Sequence, residues 1–140
     1  MGIKPILFNT DMVRAILDER KTVTRRLVKH DVDAILNSPY QKEHPEVEDK
    51  QIISKLCMPP YQPGDILYVR ETWTEVETVD GVPFYIYKAD RSAIYADANH
   101  GFKKWHPSIH MPKEAARIWL KVKNVRVERL QCMSWDDICN

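Results

Sequence analysis

The stretch Arg20-Lys21-Thr22-Val23-Thr24-Arg25-Arg26 puts four cations and two hydroxyls within seven residues. A threonine hydroxyl attacks an amide carbonyl only when a base takes its proton. A lysine serves as that base when burial or neighbouring cations lower its pKa. Arg20, Arg25 and Arg26 are the cations that would do this for Lys21, with Thr24 as nucleophile. The same charges suit a second use. Together with Lys29, and against Glu19 alone, they make a basic patch able to hold phosphates. A third reading needs no ligand: Lys21 complements the C-terminal dipole of a preceding helix, and Thr22 and Thr24 belong to a strand whose charges guard a sheet edge. The residues leave the three open.

Glu71 follows the apolar run Ile66-Leu67-Tyr68-Val69 and stands between Arg70 and Trp73. A carboxylate there accepts hydrogen bonds from the exocyclic amine of a base while an indole stacks on the ring. The alternative is a salt bridge from Glu71 to Arg70 or a neighbour, with Trp73 in the core. Trp73 and Trp105 have loop-flanked contexts that suit stacking, whereas Trp119 lies within a strand-like run and reads as core. His106 and His110 have the spacing of two zinc ligands on a helix, but Pro107 and Pro112 argue against that helix. No third ligand cluster accompanies them, so no metal is expected. Ser108-Ile109-His110-Met111-Pro112-Lys113 reads instead as a loop across the mouth of a binding cleft, with Lys113 and Arg117 extending the basic patch. Glycine-rich phosphate loops are absent, and no cofactor is expected.

The elements that position these residues follow from periodicity. Residues 3–8 read as a strand, and Asn9-Thr10-Asp11 as a helix start whose short side chains cap free amides. Met12, Val13, Ile16 and Leu17 recur at helical spacing, and the helix breaks near Arg20-Lys21. Residues 22–27 then alternate with period two, as a strand does, so Lys21 and Thr24 face the same way only if Lys21 sits in the turn before it. A short helix is expected over 31–37, and an exposed insertion around 31–53. Pro63-Gly64 suits the centre of a type II turn. Strands are expected over 66–71, 84–88, 116–122 and 124–130, and a loop over 89–101. Ser134-Trp135-Asp136-Asp137 is a helix start with few residues after it, so the final helix reads as cut short.

The chain has 140 residues, 44% of them hydrophobic and 29% charged, which suits one folded domain. With 21 basic and 20 acidic residues the net charge is +1, so any attraction for nucleic acid must be local. No apolar run approaches a bilayer span and no signal sequence is apparent, so neither a membrane nor a secreted location is expected. Cys57, Cys132 and Cys139 form no C-x-x-C pair and are odd in number, which fits the cytoplasm. The expected architecture is a small α+β domain spanning 1–140, barrel-like, with about five or six mostly antiparallel strands and two or three helices. Oligomeric state is not legible.

Two segments together suggest a family: residues 16–26, from Ile16 through Arg20-Lys21-Thr22-Val23-Thr24-Arg25-Arg26, and Pro63-Gly64-Asp65-Ile66-Leu67-Tyr68-Val69. They resemble the ASCH domains, which have a PUA-like β-barrel. With Arg70-Glu71-Thr72-Trp73 and Ser108-Ile109-His110-Met111-Pro112-Lys113 added, the pattern is similar to ASCH-related proteins encoded by bacteriophages and prophages. The resemblance implies a cleft that accepts RNA or a modified nucleoside, bordered by Arg20, Thr22, Arg25, Arg26, Arg70, Glu71, Trp73, His110 and Lys113. In one branch it implies an amidohydrolase that removes acetyl from N4-acetylcytidine, with Lys21 and Thr24 matching that branch's lysine and threonine. The branch's glutamate would fall just past Asn140, and Asp136 and Asp137 read as helix-cap acids. Binding is therefore the leading expectation, the amidohydrolase the alternative, and a non-catalytic phage accessory role the third.

Overall fold

The computed structural model describes residues 1–57, 59–77, 80–90 and 104–127. In chain order the elements are β1 (Ile3–Leu7), α1 (Thr10–Leu17), α2 (Val32–Leu36), α3 (Pro39–Glu43), α4 (Asp49–Cys57), β2 (Ile66–Arg70), β3 (Trp73–Glu77), β4 (Pro83–Tyr87) and β5 (Trp119–Lys121). Two 3-10 turns lie at Ser108–His110 and Lys113–Ala115. The class is α+β, with five strands in two sheets among the described residues. One sheet has the order β1-β2-β5 and the other pairs β3 with β4. β2–β5 and β3–β4 are antiparallel, whereas β1–β2 is parallel. A parallel pair needs a long crossover, and the chain between β1 and β2 carries α1 to α4.

The inner face of the first sheet forms the main core. Ile6 and Phe8 from the first strand and its end meet Leu67 and Val69 of β2 and Val13 of α1, all buried. Met12 and Ile16 add to it at helical spacing, as the periodicity requires, while Leu17 at the last turn stays exposed. Burying a side chain such as Val13 contributes about 1.5–3 kcal/mol. Asn9 is the N-cap, its side-chain oxygen accepting from the Met12 N–H at 2.8 Å. Asp31 likewise caps α2, accepting from the Ala34 N–H at 3.1 Å.

The strand expected over 22–27 does not form. That segment is not strand, and Arg26 Nη2 donates to the Leu7 carbonyl at 2.9 Å, which places it beside the outer edge of β1. The edge cannot support a regular ladder there. Pro5 has no N–H, and its carbonyl already accepts from the Tyr61 hydroxyl at 3.0 Å. Two further expectations shift. β3 is not among the expected strands, since Trp73 reads as loop-flanked. α4 overruns the expected exposed insertion, burying Ile52, Ile53 and Cys57 at its C-terminal half. The strand expected over 116–122 narrows to β5, and residues 124–127 are not strand. Most of the loop at 89–101 and the helix at Ser134 lie outside the described residues. No helix among the described residues is long and apolar enough to cross a membrane.

The start of β2 is fixed by the expected turn. The Asp65 N–H donates to the Gln62 carbonyl at 3.0 Å, with Gly64 at φ 92°, which the type II geometry reserves for glycine. The Asp65 carboxylate accepts from the Gly2 N–H at 2.8 Å, Lys4 Nζ at 2.7 Å and the Gln62 N–H at 3.0 Å. These bonds, the Lys4 one foremost, hold its pKa down to about 2, from an ordinary value of 3.8. A folded-state pKa below the unfolded value gives stability that is full above the unfolded pKa and lost as pH falls through the folded one. Urea-unfolding midpoints should therefore drop between about pH 4 and pH 2, and Asp65→Asn should remove that part of the decline.

Candidate nucleic-acid interface

Lys21 is placed by the way α1 ends. The Glu19 N–H donates to the Ile16 carbonyl at 3.0 Å and the Arg20 N–H to Ala15 at 2.8 Å, the paired bonds of a Schellman cap. Glu19 takes the left-handed position at φ 57°, where glycine is the usual occupant. The Lys21 N–H also donates to Ala15, at 3.0 Å, so its backbone is tied to the helix end. The helix thus breaks at Asp18-Glu19, just before the expected place. Lys21 is partly buried, and its pKa is lowered first by burial and then by the positive charges of Arg25 and Arg26.

The structure therefore brings Lys21 together with Arg25 and Arg26, as the sequence reading requires of a lowered lysine. Arg20 does not join them electrostatically: it pairs with Asp18 at 3.1 Å on the exposed surface. Thr22 is exposed and Thr24 partly buried, both in the segment that is not strand, so strand alternation does not govern where Lys21 and Thr24 point. Arg26, anchored on Leu7, also lies over the Phe8 ring at 5.7 Å. Leu7 is in register with Arg70, so Arg26 and Arg70 stand at the same end of the sheet.

Glu71 is not an open carboxylate. It is 1% exposed, and Arg117 grips it with both arms of its guanidinium: Nε to Oε1 at 2.9 Å and Nη2 to Oε2 at 3.1 Å. Arg117 Nη1 reaches Asp90 Oδ1 at 2.7 Å, and the guanidinium lies 4.1 Å from the centre of the Tyr87 ring. The Glu71 N–H faces Met111 Sδ at 3.2 Å, and the Tyr87 hydroxyl donates to the Ala115 carbonyl. Burial works to lower the Arg117 pKa, but the hydrogen bonds to Glu71 and Asp90 outweigh it, and the net shift is upward. Burial raises the Tyr87 pKa against the opposing pull of Arg117.

Three expectations are corrected here. Glu71 pairs with Arg117 and not with Arg70, because successive residues leaving a strand point to opposite faces. Arg117, expected to extend the basic patch, has its charge matched by two acids. Trp73 is corrected as well: it opens β3, is 8% exposed, and packs against Tyr85, His106, Met111 and Ala115. Its backbone exchanges hydrogen bonds with His106 at 3.2 and 2.7 Å. It is core, not a stacking surface. Its indole Nε1 and Arg70 Nε are buried without a hydrogen-bond partner among the described residues.

Trp119 moves the other way. Expected in the core, it is 46% exposed and tilts against Tyr68 with ring centres 5.9 Å apart. The sequence carries the signal: Ile118, Leu120 and Val122 pack on the core, so Trp119 between them must face outward. Lys113 Nζ lies 5.9 Å from both the Tyr68 and Trp119 ring centres, and Arg70 lies 5.6 Å from Tyr68. His110 is exposed at the end of its 3-10 turn, one turn before Lys113. Arg70 and Lys113, expected at the interface, therefore share one surface. Comparison with protein-family models, with curated proteins and with solved structures finds no match in any of the three.

Removing one partner of a buried ion pair leaves an uncompensated charge, a loss of about 3–5 kcal/mol. Arg117→Met should destabilise the protein to about that extent in urea unfolding. The double variant Glu71→Leu/Arg117→Met should recover most of the loss, because the buried Glu71 charge goes with its partner and only the partly exposed Asp90 is left without one.

Proposed function

We propose that this chain is an ASCH-type, PUA-like domain of phage or prophage kind, acting in the cytoplasm, that binds RNA or a modified nucleoside at the cationic end of its first sheet. The observation that carries the proposal is the crowding of positive charge at Lys21. Arg25 and Arg26 stand close enough to depress its pKa, and Arg70 occupies the same end of the sheet as Arg26. Like charges held together are an unfavourable arrangement that phosphate oxygens would turn into attraction. The barrel is part of the proposal. β2 passes into β3 through Glu71 and Thr72 alone, so the two sheets meet at a tight corner of the kind small barrels use.

The amidohydrolase is the second reading, favoured by the lowered pKa of Lys21, with Thr24 three residues on. Glu71 is a poor candidate for its acid, since Arg117 engages both carboxylate oxygens. A general acid for the departing amine contributes about 10²–10⁴-fold in such reactions.

Single-stranded RNA should bind at low salt, with affinity falling linearly in log–log form as salt rises. Arg25→Ala/Arg26→Ala should reduce the slope by roughly 0.7 for each phosphate that is no longer neutralised. RNA binding undetectable at low salt would remove the binding reading. Release of cytidine from N4-acetylcytidine, abolished in Lys21→Ala, would mark the second reading instead. Neither activity would point to the non-catalytic phage accessory role.

A further inference from the structure

The first sheet has two unlike faces. The inner one packs on α1; the outer one carries Tyr68, Arg70 and Trp119, with Leu7 beside them, 43% exposed. A half-exposed aromatic ring offers an apolar face on which a flat group can stack. This one is held in a fixed pose. The Trp119 Nε1–H donates to the Ala116 carbonyl at 3.3 Å, and Tyr68, only 9% exposed, supports the ring from the neighbouring strand.

The cations beside it are also held. Lys113 opens a 3-10 turn whose last residue, Ala115, is 1% exposed, and Met111 just before it is fully buried, so the backbone that projects Lys113 is anchored at both ends. Arg70 Nη1 donates to the Ile109 carbonyl at 3.3 Å, which fixes its guanidinium against Tyr68. Lys121 is exposed on β5, two residues beyond Trp119 and on the same side of the strand. The acid of this turn is Glu114, which is exposed. Cations thus outnumber acids around an immobilised indole, which is the chemistry that recognises a stacked base with its flanking phosphates.

We infer that Trp119, backed by Tyr68 and flanked by Lys113 and Arg70, is a stacking platform for one base of a single-stranded RNA, whose adjoining phosphates meet those two cations. The inference rests on the RNA reading above and deepens it. It makes the ligand a polymer rather than a free nucleoside, since Trp119 and the Lys21 cluster are separate subsites. Arg26 lies beside β1 and Trp119 on β5, with β2 between those two strands. Arg70 and Arg26, at the ends of paired strands, lie on the way from one to the other.

The test is binding of a labelled single-stranded oligocytidylate of about eight nucleotides, read by fluorescence anisotropy. Trp119→Ala should weaken binding by roughly 5- to 100-fold, and Trp119→Phe should keep most of the affinity. Lys113→Ala should lower the salt slope by about 0.7. A photo-cross-link from a 5-bromouridine oligonucleotide to the unaltered protein should map to Trp119, a readout that needs no variant to fold. Equal affinity of Trp119→Ala and the unaltered chain, or a cross-link elsewhere, would overturn the platform and leave the RNA reading standing. Failure of the unaltered chain to bind the oligonucleotide at low salt would remove both. Self-association abolished by Trp119→Ala, without RNA binding, would assign this face to a second copy of the chain and overturn the platform.

Discussion

The pairing of Glu71 with Arg117 ties together segments that are far apart in the sequence. Glu71 leaves the end of β2, Asp90 follows β4, and Arg117 precedes β5, so one guanidinium links both sheets. The geometry is the bidentate fork that arginine alone supplies, with its open face covered by the Tyr87 ring. A carboxylate that is 1% exposed needs such a partner, because an unpaired charge at that depth is strongly destabilising. The consequence for function is direct. The most buried acid near the cationic end is committed to architecture, so the proposed recognition rests on groups around it.

Those groups divide by strand parity. Leu67, Val69 and Glu71 face inward and build the core and its ionic tie, while Tyr68 and Arg70 face outward and meet Trp119 and Lys113. β2 is therefore the element that carries the core on one face and the proposed recognition surface on the other. The cationic cluster arises from a different cause. Beside the proline-bearing edge of β1, residues 22–27 form no strand, Arg26 satisfies the Leu7 carbonyl, and Lys21 is held by the end of α1.

Much of the fold is legible in the sequence because local chemistry and tertiary context agree. Asn9 caps α1 as expected, a short helix forms within 31–37, Pro63-Gly64 turns the chain, and Val13 and Ile16 pack as their spacing requires. The alternation at 22–27 misleads because it is real but its only available neighbour is an edge interrupted by Pro5. β3 escapes detection because Trp73 and its neighbours alternate weakly, and their pairing with β4 is a tertiary fact. At the candidate site, the two arginines beside Lys21 are legible in the sequence, whereas the burial that does most to lower its pKa is a tertiary fact. The Arg117 partnership is not legible there, because residues 71, 90 and 117 are distant in sequence and no local pattern joins them. Trp119 is within reach, since the inward run of Ile118, Leu120 and Val122 fixes its direction.

The central claim, that RNA meets the cationic end of the sheet while the Glu71–Arg117 tie stays closed, is tested most directly by NMR on isotope-labelled protein titrated with a short single-stranded RNA. The account predicts amide shift changes over residues 21–26 and at Arg70, with the Arg117 Nε–H resonance remaining protected from exchange. Shift changes confined to α2 and α4, or an Arg117 side chain that loses its protection as RNA is added, would contradict it.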